Sequence, residues 1–155
     1  MFISVNKRDI QALVGCTAAA TGLMAGVFAL ISKIQSVPSK YAGSSLAFAV
    51  LCASILASLT GLSGYLLSKV DKDKTDSETC YVELSPAFVK AGFALVVLGY
   101  ISAAVTGLIL LYFQYDNLTS TQEENEIWGT FGFTAAIIAL LTYPSSVFVG
   151  MLQQT

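Results

Sequence analysis

The stretch AGFALVVLGYISAAVTGLILLYFQY, residues 91–115, contains no charged residue over 25 consecutive positions. A helix that crosses the ~30 Å hydrocarbon core of a bilayer needs about 20 apolar residues. The stretch is long enough, and it lacks the alternating pattern of a membrane β-strand. It therefore predicts a transmembrane helix, whose backbone hydrogen bonds are all made within the segment.

Three other uncharged apolar runs, residues 10–31, 44–68 and 127–152, have the same character. The first is longer than the apolar part of a cleavable signal, so we expect it to remain in the chain. Short connections between the runs favour antiparallel neighbours. The predicted fold is an all-α integral membrane protein, one up-down-up-down bundle of four transmembrane helices. It forms a single domain over 1–155, with helices at about 10–33, 43–69, 86–115 and 126–152.

Composition supports the same class, because 55% of the residues are hydrophobic and 12% are charged, against about 25% charged in average soluble domains. The net charge of −2 offers no basic face for a nucleic acid. The chain has no histidine, which removes the commonest zinc and haem ligand and the commonest general base. The three cysteines are widely spaced, without a CxxC pair, and are interpreted as small core residues.

Basic residues suggest an orientation, because Lys and Arg are enriched in cytoplasmic segments. Six of the eight lie in the N-terminus, the central link and the start of the third helix. We therefore expect both termini and the central link on the cytoplasmic side, or the matrix or stromal side in an organelle. Aromatic residues at the opposite ends of the helices, including Tyr112 and Trp128, fit an interfacial belt. The sequence does not indicate which membrane.

Small residues recur every fourth position on each predicted helix, and residues four apart share a helix face. Such ladders let membrane helices approach closely. One interpretation of these ladders is functional: they dock to a partner protein or to a second copy of the chain. The other is structural: they pack the helices inside the bundle, and we expect this to explain most of the ladders. The first helix, with a true GxxxG at Gly22 and Gly26, is the best candidate for a partner face. The predicted packing or partner residues are Ala18, Gly22, Gly26, Ala49, Ala53, Ala57, Gly61, Gly99, Ala103 and Gly107, with a weaker ladder at Thr142, Ser146 and Gly150.

A short motif is nearly repeated, AATGL at 19–23 and AVTGL at 104–108. An offset of 85 residues, without a gap, also aligns Phe48 with Phe133. This suggests a duplicated helical hairpin, a parallel repeat about an axis along the membrane normal. Chance matching between segments rich in alanine and leucine is the favoured alternative.

Other motifs are weak. Asn117 begins the glycosylation tripeptide NLT close to a helix end, and chance is the favoured explanation. Asp71, Asp73 and Asp76 lack the Gly and Glu that complete a calcium loop, so no metal site is expected. No catalytic motif appears, and no cofactor is evident. Bound lipids are expected, and a pigment held by backbone, Gln114 or water stays open.

Three functions are compatible with these features. The first is a non-catalytic accessory or structural subunit of a larger membrane complex, in contact with lipids and with other transmembrane proteins or itself. The second is a free-standing four-span protein that organises junctions or vesicles. The third is a small passive channel or transporter, although no charged residue lies mid-membrane to mark an ion path. An enzyme is not expected, because the usual catalytic groups are missing.

Overall fold

A computed structural model describes residues 2–33, 39–71, 79–116 and 121–155. It contains four long helices, and each is long and apolar enough to cross a membrane. This confirms the predicted four-helix membrane bundle. The helices are α1 (Lys7–Lys33), α2 (Ser39–Asp71), α3 (Pro86–Asp116) and α4 (Thr121–Leu152).

The helices form a ring in which α1 packs on α2, α2 on α3, α3 on α4, and α4 back on α1. Three of them begin earlier than predicted, at Lys7, Ser39 and Thr121, because polar residues at the membrane edge continue the helical turns. Helix α3 begins at Pro86, as predicted. Its first turn is capped by Ser85, whose hydroxyl accepts a bond from the backbone nitrogen of Phe88 at 3.3 Å.

A small antiparallel sheet, absent from the prediction, closes one end of the bundle. Its strands are β1 (Phe2–Asn6) and β2 (Thr79–Glu83), and Ser4 lies opposite Tyr81. Both strands alternate between buried and exposed side chains, as a half-buried sheet requires. The buried face carries Ile3, Val5, Cys80 and Val82, all at most 6% exposed. The alternation of apolar and polar residues is the only sequence signal for these two strands. It covers only five residues in each strand and lies next to charged segments.

The sheet is held by the C-terminal ends of two helices. The side-chain amide of Gln154 accepts a hydrogen bond from the backbone nitrogen of Ser4 at 2.8 Å. It also donates one to the backbone oxygen of Ser4 at 2.9 Å. The amide thereby takes the place of a third strand along β1. On the other side, the Lys69 ammonium donates to the carbonyl oxygen of Glu83 at 3.0 Å. The chain start and central link are therefore joined to α4 and α2, and the sheet covers the bundle end.

The interior is filled by large apolar side chains. Leu13, Leu56, Leu110 and Phe148 are at most 1% exposed, and they come from all four helices. The buried polar side chains among the described residues are hydroxyls, at Thr17, Ser63, Ser102, Thr106 and Thr130. Apolar side chains therefore make up most of the described core, which is closely packed as in other protein interiors.

Most hydroxyls in the spans bond to the preceding turn of their own helix, as expected for Ser and Thr in apolar surroundings. Thr106, for example, donates to the carbonyl oxygen of Ser102 at 2.7 Å. Thr21 and Thr60 add a bond between helices, with their hydroxyl oxygens 3.0 Å apart. Bonds of this kind contribute about 0.6 kcal/mol on average in a membrane protein. This one pins the relative positions of α1 and α2.

Candidate partner-packing face

Helix α1 presents to the outside of the bundle a face that begins at Gln11 and continues with five small residues. Starting from Gln11, its members recur at spacings of three and four and are all exposed: Gly15, Ala18, Gly22, Ala25 and Ala29. A Cβ atom placed on Gly15 or on Gly22 would meet nothing within 4 Å beyond its own helix. We call these six residues, Gln11 included, the α1 outer face.

The other three helices differ from α1 in what they expose. Large apolar side chains project outward from α2 (Leu51, 51% exposed), from α3 (Leu108, 67%) and from α4 (Phe131, 55%). No large apolar side chain of α1 is exposed within its described part, up to Ala29. The α1 outer face is therefore flatter than the outer surfaces of the other three helices, from which large side chains protrude.

The predicted ladder of α3 lies inside the bundle. Gly99 faces Leu141 and Leu56, Ala103 is 4% exposed, and Gly107 lies against Thr134. A further small residue on this helix, Gly92, was not among the predicted ones, although it lies seven residues before Gly99. A Cβ atom on Gly92 would overlap the ring of Phe148. The α3 ladder therefore serves internal helix packing.

The remaining ladders are divided between the inside and the outside. On α2, Ala49 is buried and Ala53 half-buried, whereas Ala57 and Gly61 are exposed. Gly26 differs from the rest of the α1 ladder, since it faces the ring of Phe133 on α4. On α4, Thr142 and Ser146 are exposed, and Gly150 has open space around it. The four-residue spacing alone therefore does not tell an inner ladder from an outer one.

The nearly repeated motif has two different environments. Gly22 on α1 is exposed, whereas its counterpart Gly107 on α3 is buried against α4. Thr21 bonds to Thr60 of the next helix, whereas Thr106 bonds only within its own helix among the described contacts. The hairpin duplication stays a prediction. The two copies of the motif have different surroundings, since the glycine of one is exposed and that of the other is buried.

Between α3 and α4 there is an apolar groove of about 480 Å³. Its lining includes Gly107, Leu108, Phe131, Thr134 and Ile138. Its lining is almost entirely hydrocarbon, so a lipid tail fits it without any specific polar contact.

Within the part of the chain that the structure describes, no cluster of three or more His, Cys, Asp or Glu side chains is placed to hold a metal ion. Cys16, Cys52 and Cys80 form no disulfide within the described residues, and the last two are buried. Asn117, Asp73 and Asp76 lie outside the described residues.

A polar contact at the sheet end, between α4 and α1, has no signal in the sequence. The Tyr143 hydroxyl on α4 donates to the Asp9 carboxylate on α1 at 2.8 Å. These residues are 134 positions apart, and no local pattern connects them.

Comparisons with protein-family models, with curated proteins and with solved structures found no match to this chain.

Proposed function

We propose that this chain is a non-catalytic accessory subunit of a larger membrane protein complex, which it joins through the α1 outer face. The single observation that carries the proposal is the contrast between α1 and the other three helices. Only α1 lacks a large apolar side chain directed outward in its described part. In this role the chain fills space beside a partner helix and sets its position.

The physical reason lies in how helices associate within lipid. Lipid tails are as apolar as leucine, so burying apolar surface gives little driving force between membrane helices. Close backbone approach, with its dispersion contacts and weak Cα–H···O bonds, takes that place. Glycine and alanine at Gly15, Ala18 and Gly22 permit such an approach, whereas protruding leucines would hold a partner away.

The interior of the bundle supports this role over transport through a single chain. Leu13, Leu56, Leu110 and Phe148 fill the space between the helices, and β1 and β2 cover one end. The distribution of basic residues leads us to propose further that this covered end, with both termini, faces the cytoplasm or its organellar equivalent.

We expect Gly22→Leu to reduce the partner recovered with the tagged chain from native membranes in mild detergent by about tenfold. A leucine there keeps the partner backbone away, and a loss of about 1.4 kcal/mol is sufficient for a tenfold effect. The substitution leaves the bundle intact, because the space around Gly22 is open. Recovery is measured by quantitative mass spectrometry of the co-purified proteins.

The matched control is Gly132→Leu, since Gly132 on α4 is also exposed and has open space around it. Partner recovery with this control should equal that of the unmodified chain. Equal recovery with Gly22→Leu would reject the α1 outer face as the docking surface. Recovery of only this chain, as a homo-oligomer, would favour a free-standing four-span protein instead.

A further inference from the structure

A cavity of about 280 Å³ lies at the sheet end of the bundle, between β1, the first turns of α1 and the last turns of α4. Its polar wall includes Asn6, Asp9, Tyr143 and Ser146. The lining also includes apolar side chains, among them those of Ile10, Val147 and Met151. This volume lies near the lower end of the ~300–1,000 Å³ typical of ligand pockets, and the combination of polar and apolar walls suits an amphipathic ligand.

The cavity has a fixed shape because bonds between distant parts of the chain hold it. Tyr143 bonds to Asp9 across the gap between α4 and α1, and the Gln154 amide holds Ser4 of β1 by two hydrogen bonds. Gly150 also lines the cavity, and a Cβ atom placed on it would meet nothing within 4 Å, so this position leaves the space open. The cavity is thus built into the fold by the first and last segments of the chain.

Asp9 lines this cavity, and Arg8 precedes it in the sequence; the two opposite charges form no salt bridge with each other. One Asp9 carboxylate oxygen accepts the Tyr143 bond, and the carboxylate makes no salt bridge with any described residue. The neighbouring Arg8 is exposed, and its backbone nitrogen donates to the Asn6 side chain at 2.9 Å. Among the described residues its guanidinium has no ionic partner either. Both charges lie at one end of a membrane span, where lipid headgroups are found.

We propose that this cavity binds the headgroup of a zwitterionic phospholipid with a primary ammonium, phosphatidylethanolamine. The ammonium bonds to the free Asp9 oxygen, and the phosphate pairs with Arg8 through charge-assisted hydrogen bonds. The diacyl tails extend along the bundle into the bilayer.

The lining favours ethanolamine over choline. A primary ammonium donates three hydrogen bonds, and the acceptors at hand are a carboxylate and the hydroxyls of Tyr143 and Ser146. A quaternary ammonium donates none and is usually held in a cage of several aromatic rings. Tyr143 is the one aromatic residue of this cavity.

Competitive lipid retention tests the proposal. The purified chain is mixed with equal amounts of phosphatidylethanolamine and phosphatidylcholine of the same tails, and bound lipids are counted by native mass spectrometry. We expect about tenfold more phosphatidylethanolamine to remain bound, since one charge-assisted bond of about 1.5–3 kcal/mol distinguishes the two lipids. Asp9→Asn should abolish the preference while leaving an oxygen that accepts the Tyr143 bond.

Gly150→Leu provides a second variant, which fills the cavity without touching its charges. It should also remove the preference, whereas Gly132→Leu on the same helix should keep it. Equal retention of both lipids by the unmodified chain, or an unchanged preference in Asp9→Asn and Gly150→Leu, would overturn the proposal. Soluble phosphoethanolamine, added to the chain with phosphatidylcholine alone, should leave the thermal unfolding temperature unchanged. Stabilisation equal to that by the lipid would reject a lipid site in favour of a soluble ligand.

Discussion

Gly92→Leu is expected to lower the free energy of unfolding of the bundle by about 3 kcal/mol, near the upper end of the usual cost of overpacking a core. A side chain at this position would overlap the ring of Phe148, which is fully buried in the core. The α3 and α4 backbones would have to separate. Reversible unfolding in mixed detergent micelles, followed by circular dichroism, measures the change.

The contact between Gly92 and Phe148 is tested by enlarging one side chain and shortening the other in the same chain. Phe148→Ala alone should cost about 3–5 kcal/mol, because it leaves a cavity in the core. The double variant Gly92→Leu/Phe148→Ala restores part of the lost volume, so its cost should fall below the sum of the two single costs by about 1–3 kcal/mol. Strict additivity of the two single changes would contradict the direct packing of Gly92 against Phe148.

Gly107→Leu is the second large effect, with an expected loss of about 2–3 kcal/mol of unfolding free energy. A Cβ atom on Gly107 would lie 2.6 Å from both Oγ1 and Cγ2 of Thr134, and 3.1 Å from its Cβ. Thr134 is branched at the atom nearest its backbone, so rotating its side chain exchanges one close contact for another. Relief therefore requires a shift of the α3 or α4 backbone.

Gly22→Leu is the matched control, because Gly22 occupies the same place in the repeated TGL motif. It lies in open space on the bundle surface, and its unfolding free energy should change by no more than about 0.5 kcal/mol. The two substitutions thus compare one sequence motif in two environments. A similar loss for both would show that the motif packs internally in both helices, against the arrangement described here.

The helices were predictable because their physical cause is local. A run such as 91–115 satisfies its own backbone hydrogen bonds and matches the bilayer thickness, whatever surrounds it. The faces of the ladders were not predictable in the same way. Gly22 and Gly107 carry the same neighbours in sequence, and which of them is buried depends on the side chains of another helix.

The sheet and the cavity were missed for a related reason. β1 and β2 have only five residues each, and each is stable only when paired with the other and packed on the bundle. The cavity depends on Asp9 and Tyr143, which approach each other only because α1 and α4 close the ring. Neither feature leaves a periodic signal over a window long enough to detect.

Photo-crosslinking in native membranes directly tests whether the α1 outer face docks to a partner protein. A diazirine amino acid of leucine size is placed at Gln11, the one long side chain of the α1 outer face, and in a second variant at Leu98, which projects outward from α3 with 48% exposure. We expect one discrete protein adduct from position 11 and mainly lipid adducts from position 98. Lipid adducts alone from both positions would contradict docking through the α1 outer face.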